Sequence, residues 1–269
     1  MPEIEYPPVL PKLIGETITT CSWKPLDSDI YPPRDWVVIE KLSERQTPIT
    51  PKDFANGMGP AYTAGKYLCH LAGAGNEKKQ AFMRIYKQIP LAGTEIDNVK
   101  SRGEQASKPR KHLELNALKH LTENRCSATP RLLGYETGKQ NKNDCVPGGY
   151  IMYIVWEKVQ GDSLDPMEFW SLPNNQRESI RAKFKAAYLE VLELGVELSL
   201  TTASKIILDK TTGDVKISGF RRAHEISPEK TWDDYFFVMF FLALNSLVRY
   251  NYFPITAEDI KVHSNGWMW

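Results

Sequence analysis

The sequence predicts an α+β protein in which a β-rich first half precedes a mainly helical second half. Three observations predict this class. Segments 66–72, 80–89 and 150–159 are dominated by apolar and aromatic residues and are bounded by turn-forming residues. Segment 174–194 carries apolar residues at helical spacing. The apolar run 235–244 has the length of a buried core helix. The chain of 269 residues suits one large domain or two small lobes that share a cleft.

The composition is that of an ordinary globular protein, with 42% hydrophobic and 25% charged residues. The formal net charge of +1 provides no bulk field for nucleic acid or an anionic membrane, so neither is an expected partner. The acidic and proline-rich start differs from a signal peptide, and the apolar run is too short to span a bilayer of about 30 Å. The four cysteines form no CxxC pair, which favours free thiols over zinc. We expect a cytoplasmic protein.

Residues 1–60 contain ten prolines, at positions 2, 7, 8, 11, 25, 32, 33, 48, 51 and 60. Proline ends helices and removes a backbone donor, so long helices are excluded here. The run 35–40 is compatible with a strand or a helical turn. The interpretation preferred from the sequence is an irregular, proline-rich N-terminal arm that packs on a surface.

Segments 66–72 and 80–89 are predicted to be two strands joined by a turn over 73–79. Arg84 lies in the middle of the second strand, where a charge is costly unless it has an anionic partner. Two interpretations therefore stay open. Either Arg84 meets a buried carboxylate or a ligand, or it points to water from an edge strand.

The next predicted elements are a helix over 110–123, a strand that begins at 129–135 and a strand over 150–159. Glu114 lies beside the apolar stripe of the helix, from where it can reach the sheet. The strand ends in Trp156, Glu157 and Lys158, shortly before Gly161. This end of the strand predicts a short connector to the helical half.

The second half begins with the helix that runs to Leu194, with Asn174 or Asn175 as the expected cap. Its predicted buried stripe comprises Ile180, Phe184, Tyr188, Val191 and Leu192. The charged residues Arg181, Lys183, Lys185 and Glu190 are predicted to face away. The following stretch, 195–223, predicts a hairpin, with strands at 206–208 and 215–217 around a Thr-Gly turn.

This order of elements resembles the protein-kinase-like superfamily, including choline kinases and aminoglycoside phosphotransferases, over residues 60–245. The blocks RIY…QIP, TP…LLGY and PGG…VWE are also similar to short fungal kinase-like proteins of largely unassigned role. The resemblance implies a two-lobed fold: an arm over 1–60, a small antiparallel-sheet lobe with one helix over 61–160, and a truncated, mainly helical lobe over 161–269. It places Arg84 at the family's lysine position, Glu114 as its partner, and Trp156, Glu157 and Lys158 where adenine is received.

The same resemblance implies that the catalytic motifs are degenerate. Leu198 stands at the histidine position that precedes the catalytic aspartate, and Leu200 stands at the aspartate itself. Lys205 replaces the metal-binding asparagine, and Gly219 replaces the metal-binding aspartate of DFG. Magnesium-dependent phosphoryl transfer needs these groups, so we expect no metal site.

The replacement by Lys205 also changes the charge of the predicted site, because a lysine repels a metal and attracts an anion. Together with Arg84, Arg221 and Arg222, it predicts a pocket for an anion, or for ATP without magnesium. The alternative places Lys205 and the pair Arg221 and Arg222 in solvent. His224, like the four other histidines, is predicted to be structural or exposed.

Three functions remain open. The first is a pseudokinase-like protein that binds a small molecule or nucleotide in the cleft between the lobes, or a protein partner. The second is an enzyme whose refitted cleft catalyses a non-phosphoryl reaction on a small secondary metabolite. The least favoured is an atypical, active small-molecule kinase. Whether the protein is an enzyme is therefore left open, with kinase activity of the usual kind disfavoured.

Overall fold

The computed structural model describes residues 8–22, 33–108, 112–227, 231–245 and 266–269. The chain divides into two compact units. The first comprises Met1–His112 and Leu132–Lys158, and the second comprises Leu113–Arg131 and Val159–Trp269. The α+β class with a large antiparallel sheet is confirmed. The predicted division into lobes differs at the helix over 110–123. This helix was assigned to the small lobe, but from Leu113 onwards it belongs to the second unit.

The first unit is a closed, six-stranded antiparallel barrel with the strand order β1-β2-β3-β4-β6-β5. The strands are β1 (Thr17–Ser22), β2 (Arg34–Thr47), β3 (Tyr62–Leu71), β4 (Gln80–Gln88), β5 (Leu132–Lys139) and β6 (Tyr150–Glu157). Two short helices, α1 (Pro51–Ala55) and α2 (Val99–Glu104), lie in its connections. Strands β3, β4, β5 and β6 confirm the four strands predicted in this half of the chain.

The prediction of an irregular N-terminal arm over 1–60 was wrong, because β1, β2 and α1 all lie within it. No proline falls within β1 or β2, so both can supply complete hydrogen-bond ladders. Trp36 and Val38 of β2 are buried in the barrel core together with Met83, Ile85 and Val155. The segment is therefore part of the core.

The second unit contains five short strands and four helices among its described residues. They are α3 (Leu113–Glu123), β7 (Asp162–Ser163), α4 (Pro166–Ser171), α5 (Asn174–Glu193), β8 (Val196–Leu198), β9 (Ile206–Leu208), β10 (Val215–Ile217), β11 (Ala223–Glu225) and α6 (Tyr235–Met239). Strands β10, β9 and β7 form one small sheet, and β11 and β8 form another. The sequence of strands, helix, strands and helices in the chain is the order that the kinase-like resemblance implies.

Helix α5 is the centre of the second unit. The five predicted stripe residues are buried, and the ring of Phe184 contacts those of Tyr188 and Phe240 at centroid distances of 5.6 and 4.7 Å. The predicted asparagine cap was wrong, because the helix begins at Asn174 after Pro173 and has no side-chain cap. Proline supplies the extended backbone that precedes the first turn.

Arg181 was predicted to face away from the core and is instead 2% exposed. Its Nε donates to the carbonyl of Leu242 at 2.7 Å. Its guanidinium lies 5.3 to 5.6 Å from the ring centroids of Phe169, Trp170 and Trp269. Cation–π contacts and the hydrogen bond offset the loss of hydration, and neither is visible in helical spacing.

The apolar run 235–244 forms a shorter helix than the ten residues predicted, because α6 ends at Met239. Phe241 has a φ of 59°, which turns the chain, and Leu244 then pairs with Met268. The run is nevertheless buried at Phe236, Phe237, Phe240 and 242–244. The predicted truncation of the lobe concerns residues 246–265, which lie outside the described residues.

No helix within the described ranges is both long enough and apolar enough to cross a membrane.

Candidate functional site

The predicted hairpin lies between α5 and α6 and is confirmed. In its register Val215 pairs with Leu208 and Ile217 pairs with Ile206. A second antiparallel pair flanks the hairpin in the chain, since β8 precedes it and β11 follows it. In this pair Ala223 of β11 lies opposite Leu198 of β8. The two pairs bring the ends of four short strands together within the second unit.

Lys205 and Gly219 are neighbours at the open end of the hairpin. Lys205 precedes β9, Gly219 follows β10, and the amide of Ser218 donates to the carbonyl of Lys205 at 2.8 Å. A Cβ atom added at Gly219 would lie 2.4 Å from Cδ and 2.8 Å from Nζ of Lys205. The lysine side chain therefore occupies the space that a side chain at residue 219 would need.

The two leucines at the predicted catalytic positions have different environments. Leu198 is 1% exposed, and its amide donates to the phenol of Tyr188 at 3.3 Å. Burial raises the pKa of that phenol, so it stays neutral near pH 7. Leu200 is 48% exposed in the loop after β8. Leu198 is thus a core residue, and only Leu200 presents its side chain to solvent.

Arg221 lies in a 3₁₀ turn over Phe220–Arg222 and is half-buried, whereas Arg222 is exposed. The Nε atom of Arg221 is buried without a hydrogen-bond partner among the described residues. A buried guanidinium nitrogen needs a partner, and an anionic or polar ligand would provide one. Of the two cations, Arg221 is the better candidate for ligand binding.

Arg84 lies in the first unit, on β4, with its guanidinium 5.4 Å from the ring centroid of Trp156. Phe82 contacts the same indole at 6.1 Å, and Nζ of Lys66 lies 3.7 Å from the ring of Phe82. These four side chains form a row in which a cation contacts each end of a pair of rings, and we call this row the aromatic ladder. Strand β4 pairs with β3 and β6, so the edge-strand interpretation of Arg84 was wrong.

The other predicted ligand residues are distributed over both units. Glu114 of α3 belongs to the second unit and is 2% exposed. Glu157 is the half-buried last residue of β6, and Lys158, which follows it, is exposed. The predicted pairing of Arg84 with Glu114 stays a prediction. The structure brings together Arg84 with Trp156, and Lys205 with Gly219.

A cluster that the sequence did not reveal lies on the β8/β11 pair. Oγ of Ser199 and Nδ1 of His224 are hydrogen bonded at 2.9 Å, and Oε2 of Glu197 lies 3.7 Å from Nε2 of the same imidazole. Glu197 is 7% exposed, whereas Ser199 is exposed. The strand register places His224 opposite Glu197, and only knowledge of that register would have found the cluster.

In the described ranges, no three histidine, cysteine, aspartate or glutamate side chains come close enough together to hold a metal ion.

Neither a protein-family model nor a curated protein matches the chain. Among solved structures, the chain is similar to the Cydia pomonella granulovirus kinase PK-1, with 12% sequence identity and a TM-score of 0.40. The match covers 74% of this chain and 55% of the viral kinase, so the chain spans about half the length of that protein.

Proposed function

We propose that the protein is a pseudokinase-like binding protein that holds a small anionic molecule or a nucleotide, without magnesium and without phosphoryl transfer. A protein ligand would be an alternative occupant of the same fold. The observation that carries the proposal is the packing of Lys205 against Gly219. In the family pattern these two positions hold the metal ligands.

The proposal follows from electrostatics. Phosphoryl transfer needs acidic or amide ligands that hold magnesium against the phosphates. At an effective dielectric constant of 20, two unit charges 4 Å apart interact by about 4 kcal/mol. The repulsion between an ammonium group and a divalent metal ion at that distance is twice as large. Lys205 would therefore exclude a metal and compensate part of the phosphate charge itself.

The aromatic ladder of the first unit supports the same class of ligand. Two adjacent rings lie between two cations on one face of the barrel sheet, and the inner ring of Trp156 is 7% exposed. Rings stack on planar groups and cations attract anions. A nucleotide or an aromatic acid has both properties.

Thermal denaturation with ATP tests the proposal. We expect millimolar ATP to raise the melting temperature equally in EDTA and in magnesium. Lys205→Ala should abolish this shift, whereas Lys210→Ala, an exposed lysine at the far end of the hairpin, should leave it intact. Stabilisation that requires magnesium, or phosphate release that disappears in Arg84→Ala, would contradict the proposal.

The cluster of Ser199, His224 and Glu197 favours a second candidate, an enzyme for a non-phosphoryl reaction such as ester hydrolysis. Nδ1 of His224 is placed to take the hydroxyl proton as Oγ of Ser199 attacks an ester carbonyl. The same nitrogen would return that proton to the leaving alcohol, and water would then release the acyl group. Glu197 would stabilise the transient imidazolium.

A fluorophosphonate probe and intact-protein mass spectrometry test this candidate. An active cluster should form one adduct that disappears in Ser199→Ala and is strongly reduced in His224→Ala. Ser204→Ala, which removes a hydroxyl of the same loop, should be labelled normally. An unlabelled wild-type protein would eliminate this candidate.

A further inference from the structure

The second unit contains a cavity of about 390 Å³ between helix α3 and the β8/β11 pair. This volume lies within the range of small-molecule sites. Its apolar lining comes from Leu113 and Ala117 on one side and from Val196, Ala223 and Ile226 on the other. Leu113 and Ala117 are four residues apart and share one face of α3. The cavity is separate from Lys205 and Gly219.

The polar groups of the cavity are one amide, two imidazoles and one carboxylate, from Asn116, His120, His224 and Glu225. Nε2 of His120 lies 2.8 Å from the carbonyl of Leu194, to which it donates. Nδ1 of His224 is hydrogen bonded to Oγ of Ser199. The side-chain amide of Asn116 has no hydrogen-bond partner among the residues that the structure describes.

The charges of the lining restrict the ligand. The described residues that line the cavity include no lysine or arginine, so they offer a phosphate or carboxylate no permanent counter-charge. Burying an unpaired anion is strongly unfavourable. The carboxylate of Glu225 and the amide oxygen of Asn116 are acceptors, which suit a group that donates hydrogen bonds.

We propose that this cavity binds a compact, mainly apolar amine, with the ring or alkyl body between α3 and the β8/β11 pair. The ammonium group lies towards Asn116 and Glu225. This site does not depend on the proposed anion site, because the two use different residues and opposite charges. A protein that fails to bind ATP can still bind the amine, and the reverse also holds.

Ligand-observed NMR titration of the full chain tests the proposal with three probes of one skeleton: naphthylmethylamine, naphthylmethanol and naphthoate. We expect the amine to bind at least about tenfold more tightly than naphthoate, with the alcohol between them; this ratio corresponds to ~1.4 kcal/mol. Asn116→Leu should reduce the difference between amine and alcohol.

Two matched variants locate the site. Leu113→Trp, at a rim position that is 46% exposed, should fill the cavity and weaken amine binding at least about tenfold. Leu42→Trp alters a similarly accessible leucine, 42% exposed on β2 and outside the lining, and should bind normally. Circular dichroism checks that both variants fold. Equal binding of naphthoate and amine, no binding of the amine, or unchanged binding by Leu113→Trp would overturn the proposal.

Discussion

At the scale of single residues, the most informative contact is the one between Lys205 and Gly219. The family resemblance places both residues at metal-binding positions, but it does not show that one fills the space of the other. The register of the β9/β10 hairpin creates that contact. The two positions are therefore coupled: a side chain at residue 219 requires Lys205 to move.

A double-mutant cycle measures this coupling. Gly219 has a φ of 83°, so Gly219→Ala adds left-handed strain of about 1–2 kcal/mol and also displaces Lys205. In a Lys205→Ala background only the strain remains. Because a lysine side chain moves aside at small cost, we expect a coupling of about 0.5–1 kcal/mol in the free energy of unfolding, measured in urea.

Gly57→Ala is the matched control for backbone strain. Gly57 also has a φ of 83°, and an added Cβ would have no heavy atom within 4 Å among the described residues. Its destabilisation should be the same with Lys205 present or replaced by alanine. Strict additivity at Gly219 would show that the lysine does not occupy the space described.

At the scale of elements, β2 anchors the chain that precedes the barrel through Glu44. The carboxylate accepts hydrogen bonds from the amides of Val9 and Leu10, at 2.9 and 3.2 Å, and from the hydroxyl of Thr63 at 2.7 Å. Nζ of Lys41 completes the set at 2.6 Å. Burial raises the pKa of Glu44, but these hydrogen bonds lower it by more, so the net pKa is below its ordinary value of 4.5.

The lowered pKa predicts an acid-sensitive anchor. The charged carboxylate contributes stability above its ordinary pKa, and this contribution is lost as the pH falls through the folded pKa. Glu44→Gln should reduce the free energy of unfolding by about 1–3 kcal/mol at pH 7. Below about pH 4 the difference from wild type should shrink, as urea titrations at several pH values would show. Glu40→Gln, at an exposed position of the same strand, should have no such effect.

Elements with strong local patterns were predictable, and those defined by tertiary contacts were not. Helix α5 and strands β3, β4 and β6 follow from periodicity and β propensity. Strand β2 was only one of two alternatives for 35–40, because the prolines on either side of it favoured an irregular arm. Arg181 was placed outside the core because helical spacing does not reveal that three aromatic rings surround its guanidinium.

The candidate site was predictable to a similar extent. The resemblance identified Lys205 and Gly219, and the β propensity of their neighbours identified the hairpin. Ser199, His224 and Glu197 were not recognisable as a group, because 25 residues separate the serine from the histidine that it contacts. Such a cluster requires the pairing of β8 with β11, which local sequence does not specify.

At the scale of the whole molecule, closure of the barrel depends on Gly134. Residues Cys21 and Ser22 of β1 pair with Tyr135 and Gly134 of β5. A Cβ atom at Gly134 would lie 2.6 Å from the carbonyl oxygen of Cys21. This carbonyl belongs to the backbone and cannot move aside without opening the sheet.

Gly134→Val should therefore separate β1 from β5 and expose two strand edges, which are sites of aggregation. We expect a lower onset temperature of aggregation, measured by light scattering during heating. Gly138→Val adds the same side chain on the same strand, where an added Cβ would be 3.6 Å from Ile151, an ordinary contact. An unchanged onset in Gly134→Val, or equal effects of both variants, would contradict this role.

The pairing of β1 with β5 also has a consequence for biosynthesis. More than a hundred residues separate the two strands, and α3, which emerges from the ribosome between β4 and β5, belongs to the other unit. A nascent chain that ends before β5 lacks β5 and β6, the two strands that close the barrel. Its first four strands can then form only an incomplete sheet with free edges. Completion of the barrel must therefore wait until β5 and β6, which ends at Glu157, have been synthesised.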